Sequence, residues 1–180
     1  MLRLLAAIAC AALACGTQET KLTDEDVDAI RGTIVVMMAP ARVQGTTRSS
    51  ALTLNIPVDW TMACPAAGHV TTHGTVTTVC GESGSCTVSA AVNLDFGNAA
   101  NAFDDCEYSN RLIVHGSLLF TQSGDEATVS GNIDGVLKSH RRGPTGGLLD
   151  LEDCTVRLVA LSPQGTATGS ICGRAVTTAW

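Results

Sequence analysis

Apolar and polar residues alternate with a period of two over much of the chain beyond residue 40. In the segment CTVSAAVNLDF, Val88, Val92 and Leu94 fall on one side and Ser89 and Asn93 on the other. A strand with this pattern is buried on one face and solvated on the other. The same alternation predicts further strands at 70–79, 111–121, 126–138, 154–161 and 166–172, with a less regular one at 51–56.

Short turn sequences separate neighbouring strands, among them GESGS, QSGDE and SPQG. Because the connections are short, consecutive strands are expected to pair as antiparallel hairpins in a meander. The sequence therefore predicts a mainly β fold, with a single antiparallel sheet of about six to eight strands that is curved or forms a half-barrel.

One segment near the N-terminus has a helical period instead. Thr23 is a plausible N-cap, acidic residues fill the first turn, and Pro40 stops the run, which predicts a helix over 24–38. Its apolar stripe consists of Val27, Ile30, Ile34, Met37 and Met38. We expect this stripe to pack on the apolar face of the sheet, because Gly32 makes the isolated helix weak.

Four predicted strands share a short unit with a glycine, seen in VTTHGTV, LIVHGSL, ATVSGNI and TATGSI. The alternation places Gly74, Gly116 and Gly131 on the core face, where a glycine weakens a strand unless the sheet bends sharply or another backbone comes close. We expect the helix to lie across these three glycines. The histidine before the glycine occurs in only two copies, as His73 and His115.

The recurring histidines raise the question of a metal site. On a strand, His69 and His73 are about 13 Å apart at ~3.3 Å per residue, and the strand containing Ala91 is expected between His73 and His115. Zinc sites use three or four ligands near ~2 Å. The sequence therefore predicts solvated histidines on the sheet, with no metal site and no cofactor.

The first residues have the layout of an export signal. Arg3 precedes an apolar run that is too short to span a bilayer, and the run ends in ALACG. We predict a signal peptide over 1–14, a diacylated Cys15, a tether over 15–22 and a single β-rich domain with its N-terminal helix over 23–180. The alternative is ordinary cleavage after Ala14, which would give a plain secreted protein.

The cysteine count favours the anchor. If Cys10 leaves with the signal and Cys15 carries lipid, an even set remains, suited to disulfides in an oxidising compartment. The candidates are Cys64, Cys80, Cys86, Cys106, Cys154 and Cys172. The preferred pairing is Cys64 with Cys172, Cys80 with Cys86 and Cys106 with Cys154, although six cysteines allow many connectivities.

Two acidic clusters flank cysteines, in NAFDDCEYSN and LLDLEDCTV. A disulfide between Cys106 and Cys154 would bring their carboxylates together, and calcium takes oxygen ligands. The candidate ligands are Asp104, Asp105, Asp150, Glu152 and Asp153. The alternative is that these are solvated acidic loops. The basic stretch 138–147 is expected to be an exposed hairpin connection.

The composition limits the function classes. The chain is 45% hydrophobic and 16% charged, and loss of Arg3 with the signal would take the formal net charge from −6 to −7. Such a protein is a poor partner for nucleic acid, whose backbone needs a basic face. No nucleophile, base and orienting group stand together in the sequence, so an enzyme is not expected.

The ending ALACG, the segment ACPAAG, the strands interrupted by glycine and the terminal GSICG resemble small cysteine-containing bacterial lipoproteins of the myxobacterial type. That resemblance implies a cell-envelope location, and Gly16 after the cysteine implies sorting to the outer membrane, on its periplasmic or its exposed side. No catalytic residue follows from it. The expected function is non-catalytic binding of an apolar ligand or of an envelope protein. The alternative is a purely structural or interaction lipoprotein without a ligand cavity.

Overall fold

The structure, a computed structural model, describes residues 20–38, 52–82, 85–97, 105–125, 130–161 and 166–179. The predicted signal peptide, the predicted lipidation site Cys15 and the acidic residue Asp104 lie outside these ranges. Those predictions therefore stay predictions.

The helix α1 spans Asp24–Met38, the range that the sequence predicts. The backbone N–H of Asp26 donates to Thr23 Oγ1 over 3.3 Å, and that of Thr23 donates to Asp26 Oδ2 over 2.8 Å. This reciprocal arrangement is a capping box, which satisfies donors that the first turn leaves open. Within the described residues, no helix combines the length and the apolar character needed to cross a bilayer.

The remaining elements form one antiparallel sheet of ten strands that is not closed. They are β1 (Leu52–Ala63), β2 (His69–Cys80), β3 (Cys86–Asp95), β4 (Cys106–Glu107), β5 (Leu112–Asp125), β6 (Ser130–Arg142), β7 (Leu148–Asp150), β8 (Cys154–Leu161), β9 (Thr166–Ile171) and β10 (Arg174–Ala179). The main order is β1-β2-β3-β5-β6-β8-β9-β10, with β4 paired to β5 and β7 to β6. The predicted fold class is confirmed.

Several strands differ from their predicted bounds. Strand β1 continues to Ala63 through Pro57, which is tolerated because β1 is an edge strand and does not need that N–H for a second ladder. Strand β6 continues to Arg142, so the first half of the basic stretch is strand and only 143–147 form the connection. The sequence patterns missed β4, β7 and β10, which are short or barely alternate.

The helix packs on the inner face of the sheet, defined as the face that carries the core residues. Ile30, Met37 and Met38 are 0% exposed and join the same core cluster as Val92 and Leu118 of the sheet. Burial of a large aliphatic side chain contributes about 1.5–3 kcal/mol, so this stripe fixes the helix against the sheet.

The three glycines do not form the single row that the prediction requires. Gly74 pairs with Val92, Gly116 with Leu137 and Gly131 with Gln122, so the three glycines lie in different rows of the sheet. A Cβ on Gly74 would lie 2.2 Å from the carbonyl oxygen of the neighbouring residue Ala91. The glycines therefore permit close approach of adjacent strands.

A buried polar network joins the helix N-terminus to the sheet. The Asp26 carboxylate is 0% exposed and accepts hydrogen bonds from Asn110 Nδ2 over 2.7 Å, from Thr23 Oγ1 over 2.8 Å and from the guanidinium of Arg141. Farther along the helix, Tyr108 Oη donates to Thr33 Oγ1 over 2.9 Å. Burial raises the pKa of Tyr108 to about 12, against the smaller opposing effect of this hydrogen bond.

Three disulfides join cysteines of the described residues, and two of them differ from the preferred pairing. The bonds join Cys64 to Cys106, Cys80 to Cys86 and Cys154 to Cys172. The pair Cys80–Cys86 is confirmed, whereas the pairings Cys64–Cys172 and Cys106–Cys154 are wrong.

Strand pairing explains the two corrections. Cys64 follows β1, and the adjoining turn residue Ala67 bridges to Glu107, which brings Cys106 within reach. Cys154 begins β8 and Cys172 follows the end of β9, and those two strands pair directly. Each cysteine therefore bonds to the one that its own strand pairing places beside it.

A candidate interaction site on the outer face of the sheet

The outer face, opposite the helix, carries a cluster of ionisable side chains at one end of the sheet. We call it the outer patch. It contains four carboxylates, two histidines, one lysine and one arginine: Asp105, Glu107, His115, Lys138, His140, Arg142, Asp150 and Asp153. They come from β4 to β7 and from the segments that adjoin these strands.

Strand alternation places three members of the patch on β6. Lys138, His140 and Arg142 point outward, whereas Ser139 is 2% exposed and Arg141 reaches the buried Asp26 on the inner face. Register then sets their neighbours, because His140 lies opposite Ile113 of β5 and Asp150 of β7. The short strands β4 and β7 therefore complete the patch on either side of β5 and β6.

His140 forms the shorter of two histidine–carboxylate contacts. Its Nδ1 lies 2.9 Å from Asp150 Oδ1, and its side chain is 21% exposed. Because these residues are direct cross-strand partners, the contact holds β7 to the edge of β6.

His115 forms the second, longer contact. Its Nδ1 lies 3.8 Å from Asp105 Oδ2, is buried, and has no hydrogen-bond partner among the described residues. Burial lowers the pKa of His115, the Asp105 carboxylate raises it, and the positive charges of His140 and Lys138 lower it further. The net direction is downward, which favours a neutral imidazole at neutral pH.

The two imidazole rings stack on each other. Their centroids are 5.0 Å apart and their planes differ by 15°. His115 lies opposite Lys138 in the register, so His140, two residues further along β6, is its diagonal neighbour. Each ring has its own carboxylate, and the two rings share one surface.

Two ion pairs flank the histidines. Lys138 Nζ lies 2.5 Å from Asp153 Oδ2, and the Arg142 guanidinium donates two hydrogen bonds to Glu107, of 3.0 and 2.9 Å. The second is the bidentate geometry in which arginine is most effective. Both pairs are partly exposed, so they shape the charge of the patch more than they stabilise the fold.

An open cavity of about 200 Å³ lies beside His140. It is lined by Lys138, Ser139, His140, Asp150, Leu151 and Asp153. The lining is mostly polar and contains both signs of charge, which suits a polar or charged group of a partner better than an apolar ligand.

Three of the candidate calcium ligands, Asp105, Asp150 and Asp153, lie in the outer patch, but they are not grouped around one metal position. Their convergence required a Cys106–Cys154 bond, which is absent among the three described disulfides. Asp105, Asp150 and Asp153 contact His115, His140 and Lys138 respectively, while Glu152 accepts a hydrogen bond from the backbone of residue 22. In the part of the chain that the structure describes, no three histidine, cysteine or acidic residues are grouped to hold a metal ion.

The histidines that the sequence singled out do not act together. His69 and His73 lie on β2 and are exposed, and β3 separates them from His115 on β5. The partner of His115 is instead His140, which the sequence reading placed in a connecting loop. The alternation of β6 could have indicated this position, because Val136, Lys138 and His140 lie on the same face, with His140 beyond the predicted end of the strand at 138.

Comparisons of the chain with protein-family models, with curated proteins and with solved structures gave no match.

Proposed function

We propose that this protein is an exported, lipid-anchored component of a bacterial cell envelope, and that it acts as a non-catalytic interaction module whose outer sheet face binds a protein partner. The observation that carries the proposal is that the protein's own helix occupies the inner face of the sheet. Of the two readings that the sequence left open, this observation supports an interaction module over a carrier of apolar ligands.

The inner face is filled by side chains of the chain itself. Ile34 is 1% exposed, and Met37 and Met38 are 0% exposed, at the position where an apolar ligand would have to lie. A ligand would need to displace these side chains and expose their apolar surface, which opposes binding. The outer face is therefore the surface available for recognition, and the outer patch is the cluster of ionisable side chains on it.

The local structure near the N-terminus supports a short link to an anchor. The N–H of Glu152 donates to the carbonyl of Thr20 over 2.7 Å, and Arg174 donates to that of Leu22 over 2.8 Å. Cys15 lies only five positions before Thr20, which spans at most about 18 Å of extended chain. An anchor at Cys15 would keep this end of the sheet close to the membrane surface.

The three disulfides support export, because such bonds persist in oxidising compartments and are rare in the cytosol. The set of groups in the outer patch supports recognition, since carboxylates, imidazoles, an ammonium and a guanidinium are suited to complementary charges on a partner.

The anchor is tested by expression in a Gram-negative host, followed by fractionation and mass measurement of the N-terminal peptide. The wild-type chain is expected in the membrane fraction with a diacylated Cys15, and Cys15→Ala is expected to lose both properties. Cys10→Ala, inside the predicted signal, is the matched control and should behave as wild type. A wild-type N-terminus that begins at Cys15 without lipid contradicts the anchor.

The binding mode is tested by a photo-crosslinking residue placed in the native bacterium at either of two equally exposed sites. Val136 lies on the outer face and Val36 on the helix, each 47% exposed. We expect a discrete protein adduct from position 136 and none from position 36. Native mass spectrometry of Cys15→Ala should show the polypeptide mass alone, and a co-purified lipid would overturn the interaction reading in favour of an apolar ligand.

A further inference from the structure

The stacked imidazole rings of His115 and His140 lie within the outer patch. Histidine is the side chain that ordinarily titrates between pH 5 and about 8. The two rings are 14% and 21% exposed, so their protonation depends on the surrounding side chains as well as on water.

Charged groups lie around the pair on the outer face. On the β3 side, Asp95 lies opposite Ser117, two residues from His115. Asp105 and Glu107 come from β4 and the segment before it, Lys138 and Arg142 from β6, Asp150 from β7, and Asp153 from the link to β8. The patch thus has four carboxylates against two permanent cations. It is negative when both rings are neutral and approaches neutrality when both are protonated.

We propose that His115 and His140 form a proton-sensing pair that takes up protons one at a time on mild acidification. In the same proposal, this stepwise loss of negative charge weakens docking of a positively charged surface of a partner protein to the outer patch. The second part deepens the proposed function, because it names a regulation of the same face. The first part concerns the protein alone and is tested alone.

The geometry favours the first proton and opposes the second. Asp150, at 2.9 Å from His140, and Asp105, at 3.8 Å from His115, each stabilise an imidazolium. A second imidazolium would stand 5.0 Å from the first, in a surface that also holds the Lys138 ammonium. Two sites that interact in this way titrate as a coupled unit.

The test is an NMR titration of the histidine side chains in the intact domain, using Cys15→Ala to keep the protein soluble. In His140→Asn, the pKa of His115 should rise by about 0.5, as expected for removal of one charge at this distance. In Asp105→Asn, the pKa of His115 should fall. An unchanged His115 titration in His140→Asn would overturn the pair.

His73→Asn is the matched control, because His73 is an exposed histidine on β2 and β3 separates its strand from β5. It should leave the titration of His115 unchanged. If His140→Asn does not fold, Lys138→Gln gives a second measurement, since it removes another positive charge that opposes protonation of His115 and should raise its pKa.

Regulation is tested by the crosslink from position 136 at neutral pH and at about pH 5.5. The adduct yield should fall at least about threefold at the lower pH in wild type and should not change in His115→Asn/His140→Asn. Equal yields in wild type would overturn the regulation. No adduct at either pH would overturn the proposed function, while the NMR result would still decide whether the pair is coupled.

Discussion

Two consecutive residues of β6, His140 and Arg141, belong to polar clusters of opposite character. Arg141 points to the inner face and bonds to Asp26, whose carboxylate also has Thr23 and Asn110 as donors and is 0% exposed. His140 points to the outer face, where it shares an open surface with His115. The Asp26 carboxylate of the inner cluster has donors from three side chains, whereas the imidazole rings of the outer cluster have one carboxylate each. Arg141 Nε and the Nδ1 of His115 are both buried without a hydrogen-bond partner among the described residues.

The difference shows how one strand serves structure and recognition together. A buried carboxylate needs donors and an opposite charge, so the contacts of Asp26 with Asn110 and Arg141 fix the helix to the sheet. Groups at the surface keep access to water and to a partner, and their protonation can change without unfolding the chain. Mutations in the inner cluster should therefore change the stability of the fold, whereas mutations in the outer cluster should mainly change the charge of the surface.

The largest loss of unfolding free energy should come from removing the disulfide Cys64–Cys106, which lies between the core and the outer patch. Cys106 is 0% exposed in the core, while its neighbours Asp105 and Glu107 belong to the outer patch. Cys64→Ala/Cys106→Ala opens a loop with a sequence separation of 42 and should lower the unfolding free energy by about 4 kcal/mol. Urea denaturation measures this loss.

Cys80→Ala/Cys86→Ala is the matched comparison. Its loop has a separation of only 6, so the expected loss is about 2 kcal/mol. The hairpin bond is also remote from the patch, so the titration of His115 should be unchanged. An equal loss from both double variants would mean that loop closure does not govern the contribution of these bonds.

The next largest loss of stability is expected for a substitution in the inner cluster. Asp26→Ala removes the side-chain half of the capping box and leaves the Arg141 guanidinium without its carboxylate, which should lower the unfolding free energy by about 3 kcal/mol. Asp28→Ala is the control, because Asp28 makes an exposed pair with Arg31 and should change stability by less than about 0.5 kcal/mol. Similar losses in both would contradict a structural role for the buried carboxylate.

A smaller effect should appear as pH dependence from the outer cluster. The folded pKa of His115 is below its unfolded value of 6.5, so the unfolded state takes up the proton first. Stability is therefore complete above about pH 6.5 and declines as the pH falls toward the folded pKa. Urea denaturation at neutral pH and at about pH 5 should show less of this decline in His115→Asn than in wild type. A decline of the same size in both would assign it to other groups.

The smallest effect is expected for an exposed ion pair of the patch. The side chains of Lys138 and Asp153 are 56% and 46% exposed, so Lys138→Gln should change stability by less than about 0.5 kcal/mol. Thermal unfolding measures this change. A loss of more than about 2 kcal/mol would show that the outer patch is also a structural element.

Local patterns account for the parts of the fold that could be predicted. The cap at Thr23 and the helical spacing of Ile30, Ile34 and Met37 define α1, and alternation defines Cys154–Leu161 and the core of β2, β3, β5 and β6. The short strands β4 and β7 have too few residues to alternate, and they pair only because the long strands hold them in place. Of the candidate site, the sequence identified His115 and expected several carboxylates to converge, but it did not predict their contacts with His115, His140 and Lys138.

The positions of the helix and most strands, their apolar faces and the bond between Cys80 and Cys86 could be predicted from local patterns, because those features depend on neighbours a few residues apart. The remaining disulfides, the close approach of Gly74 to the adjacent strand and the stacking of His115 on His140 follow from the way the strands pair. These depend on strand register, which joins residues distant in the chain and leaves no local periodicity.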